Sequence, residues 1–326
     1  MTFDNPPTAA AVEAWGTREA GDAGALDDAV VVGIDNTVSA ERAVVWAAHE
    51  AALRGAILVV CHAYRKLGPP ANQLVENARR DTAWRLVRHG AALAREAEPG
   101  LHVVPLAIEG PVRRGLCEAV ERPGLLVVGC RHRGSVAALL LGSTGAEPAS
   151  RTPYPVAVVR DAHDPGWHLF GGHIVVGVDG QCRSRAAVAY AFAEASRRSV
   201  PLVAVHAGLL GPESSRPDER SGEPYGDRPA SAWNVLEAAV EPHRAIWPGV
   251  RVTLTLRDGV PAAKGLLGAA QGAALLVVGT VGYGRVGEAA GRSISRAAVT
   301  AAPCPVIVVP AAAALPAALA MEGGPR

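Results

Sequence analysis

Val30-Val31-Val32-Gly33-Ile34-Asp35 recurs 144 residues later as Ile174-Val175-Val176-Gly177-Val178-Asp179. Leu58-Val59-Val60-Cys61-His62-Ala63 recurs at the same spacing of 144 as Leu202-Val203-Ala204-Val205-His206-Ala207, so whatever lies between these runs is kept in register. Leu125-Leu126-Val127-Val128-Gly129 returns as Leu275-Leu276-Val277-Val278-Gly279, and Pro153-Tyr154-Pro155-Val156-Ala157-Val158-Val159 as Pro303-Cys304-Pro305-Val306-Ile307-Val308-Val309, both after 150 residues. A net insertion of six residues therefore separates the two pairs. A period this long is not a solenoid repeat but a duplicated domain. Any fold open to the chain must be two copies of one architecture.

Each copy has the same internal order. Val30 to Ile34 and Ile174 to Val178 are almost wholly apolar and β-branched, the mark of a strand buried on both faces in a parallel sheet. Ala-rich helical stretches follow, Ala40 to Arg54 and Ser184 to Arg198, with Trp46 and Tyr190 at equivalent places on the apolar side. A second strand ends at His62 or His206, a polar segment carries another helix, and third strands are expected at His102 to Ile108 and Arg251 to Arg257. After Gly110 or Gly259 a helix leads to LLVVG, then come a glycine-rich loop, a helix and a proline-bracketed fifth strand. Alternating strands and helices predict right-handed crossovers and an α/β architecture: two tandem doubly wound domains, each a five-stranded parallel sheet with helices on both faces. The domains are expected at 29–160 and 173–310, with a tail at 1–28, a linker at 161–172 and a second tail at 311–326. Gly208 to Ala230, with four prolines among charged and small residues, has too little apolar surface to order itself; its counterpart, Arg65 to Gln73, is shorter.

Composition removes several classes of function. Lys+Arg (32) and Asp+Glu (31) balance to +1, and no stretch gathers the basic stripe that a phosphate backbone requires. Nucleic acid is not expected as a partner. No run has the roughly 18 consecutive apolar residues of a membrane span, and the first residues lack a basic start with an apolar core. A soluble, cytoplasmic protein is expected. The five cysteines, Cys61, Cys117, Cys130, Cys182 and Cys304, are never closer than 13 residues, so no CxxC pair exists and they read as reduced small hydrophobes.

Chemistry is expected after the fourth strand. Gly279-Thr280-Val281-Gly282 is followed after nine residues by Arg292-Ser293, and Gly129-Cys130-Arg131-His132 after nine residues by Gly142-Ser143-Thr144. A glycine closing a strand, a loop and a hydroxyl opening a helix suit a phosphate group: the backbone approaches the anion closely and the helix N-terminus offers unpaired N–H groups. The same residues also fit plain N-caps and tight turns.

Glycine, two residues, glycine, nine residues, then glycine with serine or threonine, set between LLVVG and a PCPV strand, resembles the signature of the universal stress proteins. The acids after the first strand, Asp35 and Asp179, and the Ser184-Arg185-Ala186-Ala187 helix start are similar to the family as well. The resemblance covers 29–159 and 173–310 and implies the adenine nucleotide alpha hydrolase-like fold, a role in stress-response regulation, and binding of an adenine nucleotide, ATP with or without Mg2+. Carried over position by position, Gly33, Asp35, Ala63, Val128, Gly129, Gly142, Ser143 and Thr144 form one site. Gly177, Asp179, Ala207, Val278, Gly279, Gly282, Ser293 and Ser295 form the other, which keeps the fuller set. His132 stands where the second glycine belongs in the first half, and Arg292 in place of the third in the second half. A side chain there crowds the loop, whereas a cation there neutralises phosphate; both readings stand. The resemblance further implies an internal pseudo-dimer paired through strands 156–159 and 306–309, apolar edges that otherwise invite foreign pairing; a homodimer is the other association considered.

Other constellations are weaker. Gly282-Tyr283-Gly284-Arg285-Val286-Gly287 matches GxGxxG but follows the fourth strand, not the first, and no acid stands about twenty residues on. There is no GxxxxGK[ST]. His62 and His206 read as half-buried strand ends and not as bases, since no nucleophile is placed to use them. His163, His168 and His173, five apart, share no face for a metal. Glu237, Glu241 and Arg244 read as a solvated helix face. With no general base evident for the γ-phosphate, the expected function is regulatory binding; a nucleotide-free interaction module and a slow ATP hydrolase are the alternatives.

Overall fold

The computed structural model describes residues 26–65, 73–130, 152–160, 172–180, 182–208, 228–280 and 288–311, without the side chains of 182–183, 228–231 and 288–293. His132, Gly142, Ser143, Thr144, Gly282, 209–227, and the linker and tails apart from 26–28, 172 and 311 lie outside the described residues, as do the side chains of Arg292 and Ser293. The chain divides into two compact units, Met1–Asp161 and Ala162–Arg326.

The first unit runs β1 (Val30–Gly33), α1 (Val38–Arg54), β2 (Leu58–Tyr64), α2 (Gln73–Ala97), β3 (Val103–Glu109), α3 (Val112–Cys117), β4 (Leu125–Cys130) and β5 (Val156–Arg160). Its strands lie in the order β3-β2-β1-β4-β5, all parallel. The second unit repeats this with β6 (Ile174–Gly177), α4 (Cys182–Arg198), β7 (Leu202–Gly208), α5 (Arg228–Ile246), β8 (Val252–Asp258), α6 (Ala262–Ala269), β9 (Leu275–Gly279), α7 (Glu288–Ala301) and β10 (Val306–Val309). Its parallel order is β10-β9-β6-β7-β8. The apolar strands are buried for the reason their composition implies: Val30, Val31 and Val32, like Ile174, Val175 and Val176, are fully enclosed, covered on both sides as parallel sheets require.

The first helix of each unit begins two residues earlier than its alanine pattern predicts. In α1 the cause is Thr37, whose hydroxyl accepts the Ala40 N–H at 3.2 Å and caps the exposed N-terminus. At the other end Gly55, at φ 61°, closes the helix in the left-handed conformation. Its equivalent after α4 is Ser199, held at φ 55° without glycine's freedom. Helix α5 likewise starts inside the Pro-rich segment expected to be unstructured, at Arg228.

Side-chain alternation places the two helix layers. Cys61 donates its thiol to the Gly115 carbonyl at 3.8 Å, so Cys61 and Ala63 face α3. A Cβ on Gly90 of α2 would meet Val60, so Val60 and His62 face the layer of α1 and α2. Trp46 and Tyr190 are buried as expected, and Glu237, Glu241 and Arg244 are exposed. One feature absent from the hydropathy pattern is a buried ion pair near the C-terminus of each first helix: Arg54 Nε donates to Glu50 Oε1 at 2.6 Å, and Arg198 to Glu194. Among the described residues no helix is long and apolar enough to cross a membrane.

Candidate functional site

In a parallel sheet every loop that follows a strand emerges at the same edge. The order reverses beside β1, which has β2 on one side and β4 on the other, and such a switch point is where open parallel sheets form a ligand crevice. The second unit has the same switch point at β6, between β7 and β9.

The register brings the expected residues to this edge. Gly33 pairs with Cys61, and Val32 with Val127. Ala63 and Asp35 thus lie two residues past one rung, beside Val128 and Gly129 of β4. In the second unit Gly177 pairs with Val205 and Val176 with Val277, which brings Asp179, Ala207, Val278 and Gly279 together in the same way. Asp35 and Asp179 are exposed; Val128 and Val278 are buried.

The glycines and alanines of the site have packing reasons of their own. A Cβ on Gly129 would stand 2.3 Å from the Ser39 oxygen and 2.7 Å from the Ala40 nitrogen, so the end of β4 lies directly against the first turn of α1. That glycine is required by the helix whatever the loop beyond it binds. Gly33 and Gly177 sit under Leu116 and Leu266, whose Cδ2 atoms would be 3.3 and 3.2 Å from an added Cβ. Cβ atoms on Gly115 and Gly265 would stand 2.9 Å from the Ala63 Cβ and 2.7 Å from the Ala207 Cβ. Small residues on both sides let α3 and α6 lie close over β2 and β7. Gly115-Leu116 recurs as Gly265-Leu266 after the same 150 residues as the fourth strand, a signal in the sequence that points to this lining.

Ser295, expected to bond phosphate, donates its hydroxyl to the Gly279 carbonyl at 3.0 Å and ties α7 to the end of β9. A hydroxyl has one proton and an ionised phosphate oxygen only accepts, so Ser295 as it stands has no donor left for phosphate. His62 and His206 are half-buried, as expected, but they are not strand ends, since β2 and β7 run on to Tyr64 and Gly208; each ring also bonds the chain: His62 Nδ1 to the Ile34 carbonyl at 2.7 Å and His206 Nδ1 to the Val178 carbonyl at 2.8 Å. Burial pushes the Cys61 thiol up to about 12, which leaves it a neutral wall residue. Among the described residues no cluster of three or more His, Cys, Asp or Glu side chains could hold a metal ion.

The family model described as the universal stress protein family matches residues 28–160 and again 172–310. A universal stress protein of Mycobacterium tuberculosis is 31% identical over 291 residues, covering 86% of this chain and 95% of that one. One from Mycolicibacterium smegmatis is 28% identical over 301 residues, with 87% and 98% covered. The crystal structure of a universal stress protein from Archaeoglobus fulgidus shares the fold with a TM-score of 0.62 at 16% identity, covering 87% of this chain and 99% of that one. With its two matched segments, each carrying the same strand order and the same switch point, the chain belongs to the universal stress protein family as a tandem of two of its domains.

Proposed function

We propose that the chain is a cytoplasmic stress-response regulator that binds an adenine nucleotide, ATP, in the crevice of each unit. The observation that carries this is the duplicated juxtaposition at the switch point: an exposed acid after the first strand, an alanine near the end of the second and a glycine closing the fourth, in both units. An exposed carboxylate beside an apolar floor suits a ribose hydroxyl next to a base, so Asp35 and Asp179 take the ribose. Gly33, Ala63 and Val128, with Gly177, Ala207 and Val278, form the floor. The segments holding Gly129, His132, Gly142, Ser143 and Thr144, and Gly279, Gly282, Arg292 and Ser293, receive the phosphates. Mg2+ suits the nucleotide's own phosphates better than a protein cage, since Mg2+ keeps much of its water. Pairing of the two halves through strands 156–159 and 306–309 belongs to the same proposal and rests on the apolar composition of those strands.

Titration calorimetry of the full chain with Mg-ATP tests the reading. Saturable binding is expected, weakened at least about tenfold by Asp35→Ala with Asp179→Ala, as for hydrogen bonds to a charged group. No heat at millimolar ATP would refute it. The commitment of Ser295 to Gly279 favours a second reading, an interaction module without nucleotide, for the second unit. Recovery of binding in Arg292→Gly or His132→Gly would assign the block to those side chains. Phosphate release well above the Asp179→Ala control would instead establish slow hydrolysis.

A further inference from the structure

The ladder between the first two strands stops at the same place in both units, at Gly33 opposite Cys61 and at Gly177 opposite Val205. One more N–H follows it: Ile34 donates to the Cys61 carbonyl at 2.9 Å and Val178 to the Val205 carbonyl at 2.8 Å. The carbonyls of Ile34 and Val178 then lie past the last rung, on residues that are buried, each immediately before an exposed acid. A buried carbonyl needs a donor. The donor is an imidazole in both units, His62 at 2.7 Å and His206 at 2.8 Å, each from the adjacent strand 28 residues on. Because a carbonyl only accepts, Nδ1 carries the proton in both rings.

From this we infer that His62 and His206 are positioning residues for nucleotide binding: each ring fixes the carbonyl before Asp35 or Asp179 and so sets the direction in which the carboxylate leaves the sheet. The inference rests on the nucleotide reading above. Two units that differ in most of their loop residues keep this bond at nearly one length. The bond is kept although the two residues before the histidine change, Val60-Cys61 in β2 and Ala204-Val205 in β7. A rigid carboxylate loses less freedom on binding than one on a free loop.

Paired variants of the full chain, titrated with ATP, test this. His62→Ala with His206→Ala is expected to weaken ATP binding about tenfold, the worth of one hydrogen bond. His62→Asn with His206→Asn restores affinity, because the asparagine amide places its N–H where Nδ1 stood. His62→Gln with His206→Gln does not, because its N–H falls at the Nε2 place. Melting without nucleotide identifies any pair that fails to fold, and the Asn and Gln pairs then carry the comparison. Nitrogen-15 NMR of the wild type at neutral pH is expected to find the proton on Nδ1 of both rings. A folded alanine pair that binds ATP as the wild type does, equal rescue by Gln and Asn, or the proton on Nε2 would each overturn the inference alone. Wild-type protein that binds no ATP overturns the nucleotide reading and this inference together.

Discussion

Replacing Gly129 by alanine puts a methyl carbon 2.3 Å from the Ser39 oxygen, 2.5 Å from its carbonyl carbon and 2.7 Å from the Ala40 nitrogen. All three are backbone atoms in the first turn of α1, so no side-chain rotation relieves the contact. Relief requires β4 and the helix to separate by about 1 Å, in a region where interiors are packed at crystal density. Overpacking of this kind costs about 1–3 kcal/mol, and with rigid backbone on both sides the upper end applies. For a unit of this size about 3 kcal/mol lowers the melting temperature by roughly 6–12 °C. Gly33→Ala is the control: it meets the side-chain end of Leu116 at 3.3 Å, which can shift, and should cost less than about 1 kcal/mol. Thermal melts and urea unfolding without nucleotide measure both. If Gly129→Ala melts within a degree or two of the wild type, or Gly33→Ala costs as much, the close approach of β4 to α1 is wrong and Gly129 is a loop residue only.

Ser199→Gly is expected to stabilise the second unit by about 0.5–1 kcal/mol, since φ 55° penalises serine by more than glycine's extra unfolded freedom offsets; an unchanged urea midpoint would contradict it. Glu50→Ala leaves Arg54 buried without the partner it holds at 2.6 Å and should cost about 3–5 kcal/mol, with Glu50→Leu/Arg54→Leu recovering most of it; equal stability of single and double variants would count against a buried pair. Desolvation holds the His243 imidazole below its ordinary 6.5, with Nδ1 lacking a hydrogen-bond partner among the described residues and the ring packed against Phe192 and Trp247. The unfolded chain therefore binds the proton first, so stability present above pH 6.5 is lost as pH falls below it. His243→Leu should flatten that part of the pH–stability curve, and an identical slope in the variant would reject the assignment. Cys61 and Cys304, each pushed up to about 12 by burial, should resist a thiol reagent at pH 8 until the chain unfolds, the readout being thiols titrated with and without denaturant.

The repeat and the strands were legible because a strand covered on both faces has to be apolar along its whole length, and Val30–Gly33 and Leu125–Cys130 carry that demand in plain view. Asp35 and Asp179 were singled out by the resemblance, and the structure leaves both exposed just past the first strand of each unit. Helix starts were less so: the alanine period begins at Ala40, but Thr37 draws the helix back to Val38, and a cap is a single residue against a pattern of many. The burial of the Glu50–Arg54 pair leaves no mark in the sequence, because four-residue spacing is the same whether the face is wet or dry.

What the sequence determined by itself is the architecture and the sheet edge at which nucleotide binding is proposed. Periodicity and repetition are local in the chain, and parallel strand order follows from the alternation of elements. What only the tertiary structure decided is the reason for each small or polar residue at that edge. Gly129 answers to Ser39, Gly115 to Ala63, Ser295 to Gly279, and His62 to Ile34. Those partners lie 16 to 90 residues apart in the chain. A clash or a hydrogen bond depends on distances of a few ångströms, which come into being when the sheet is assembled and which no spacing along the chain encodes.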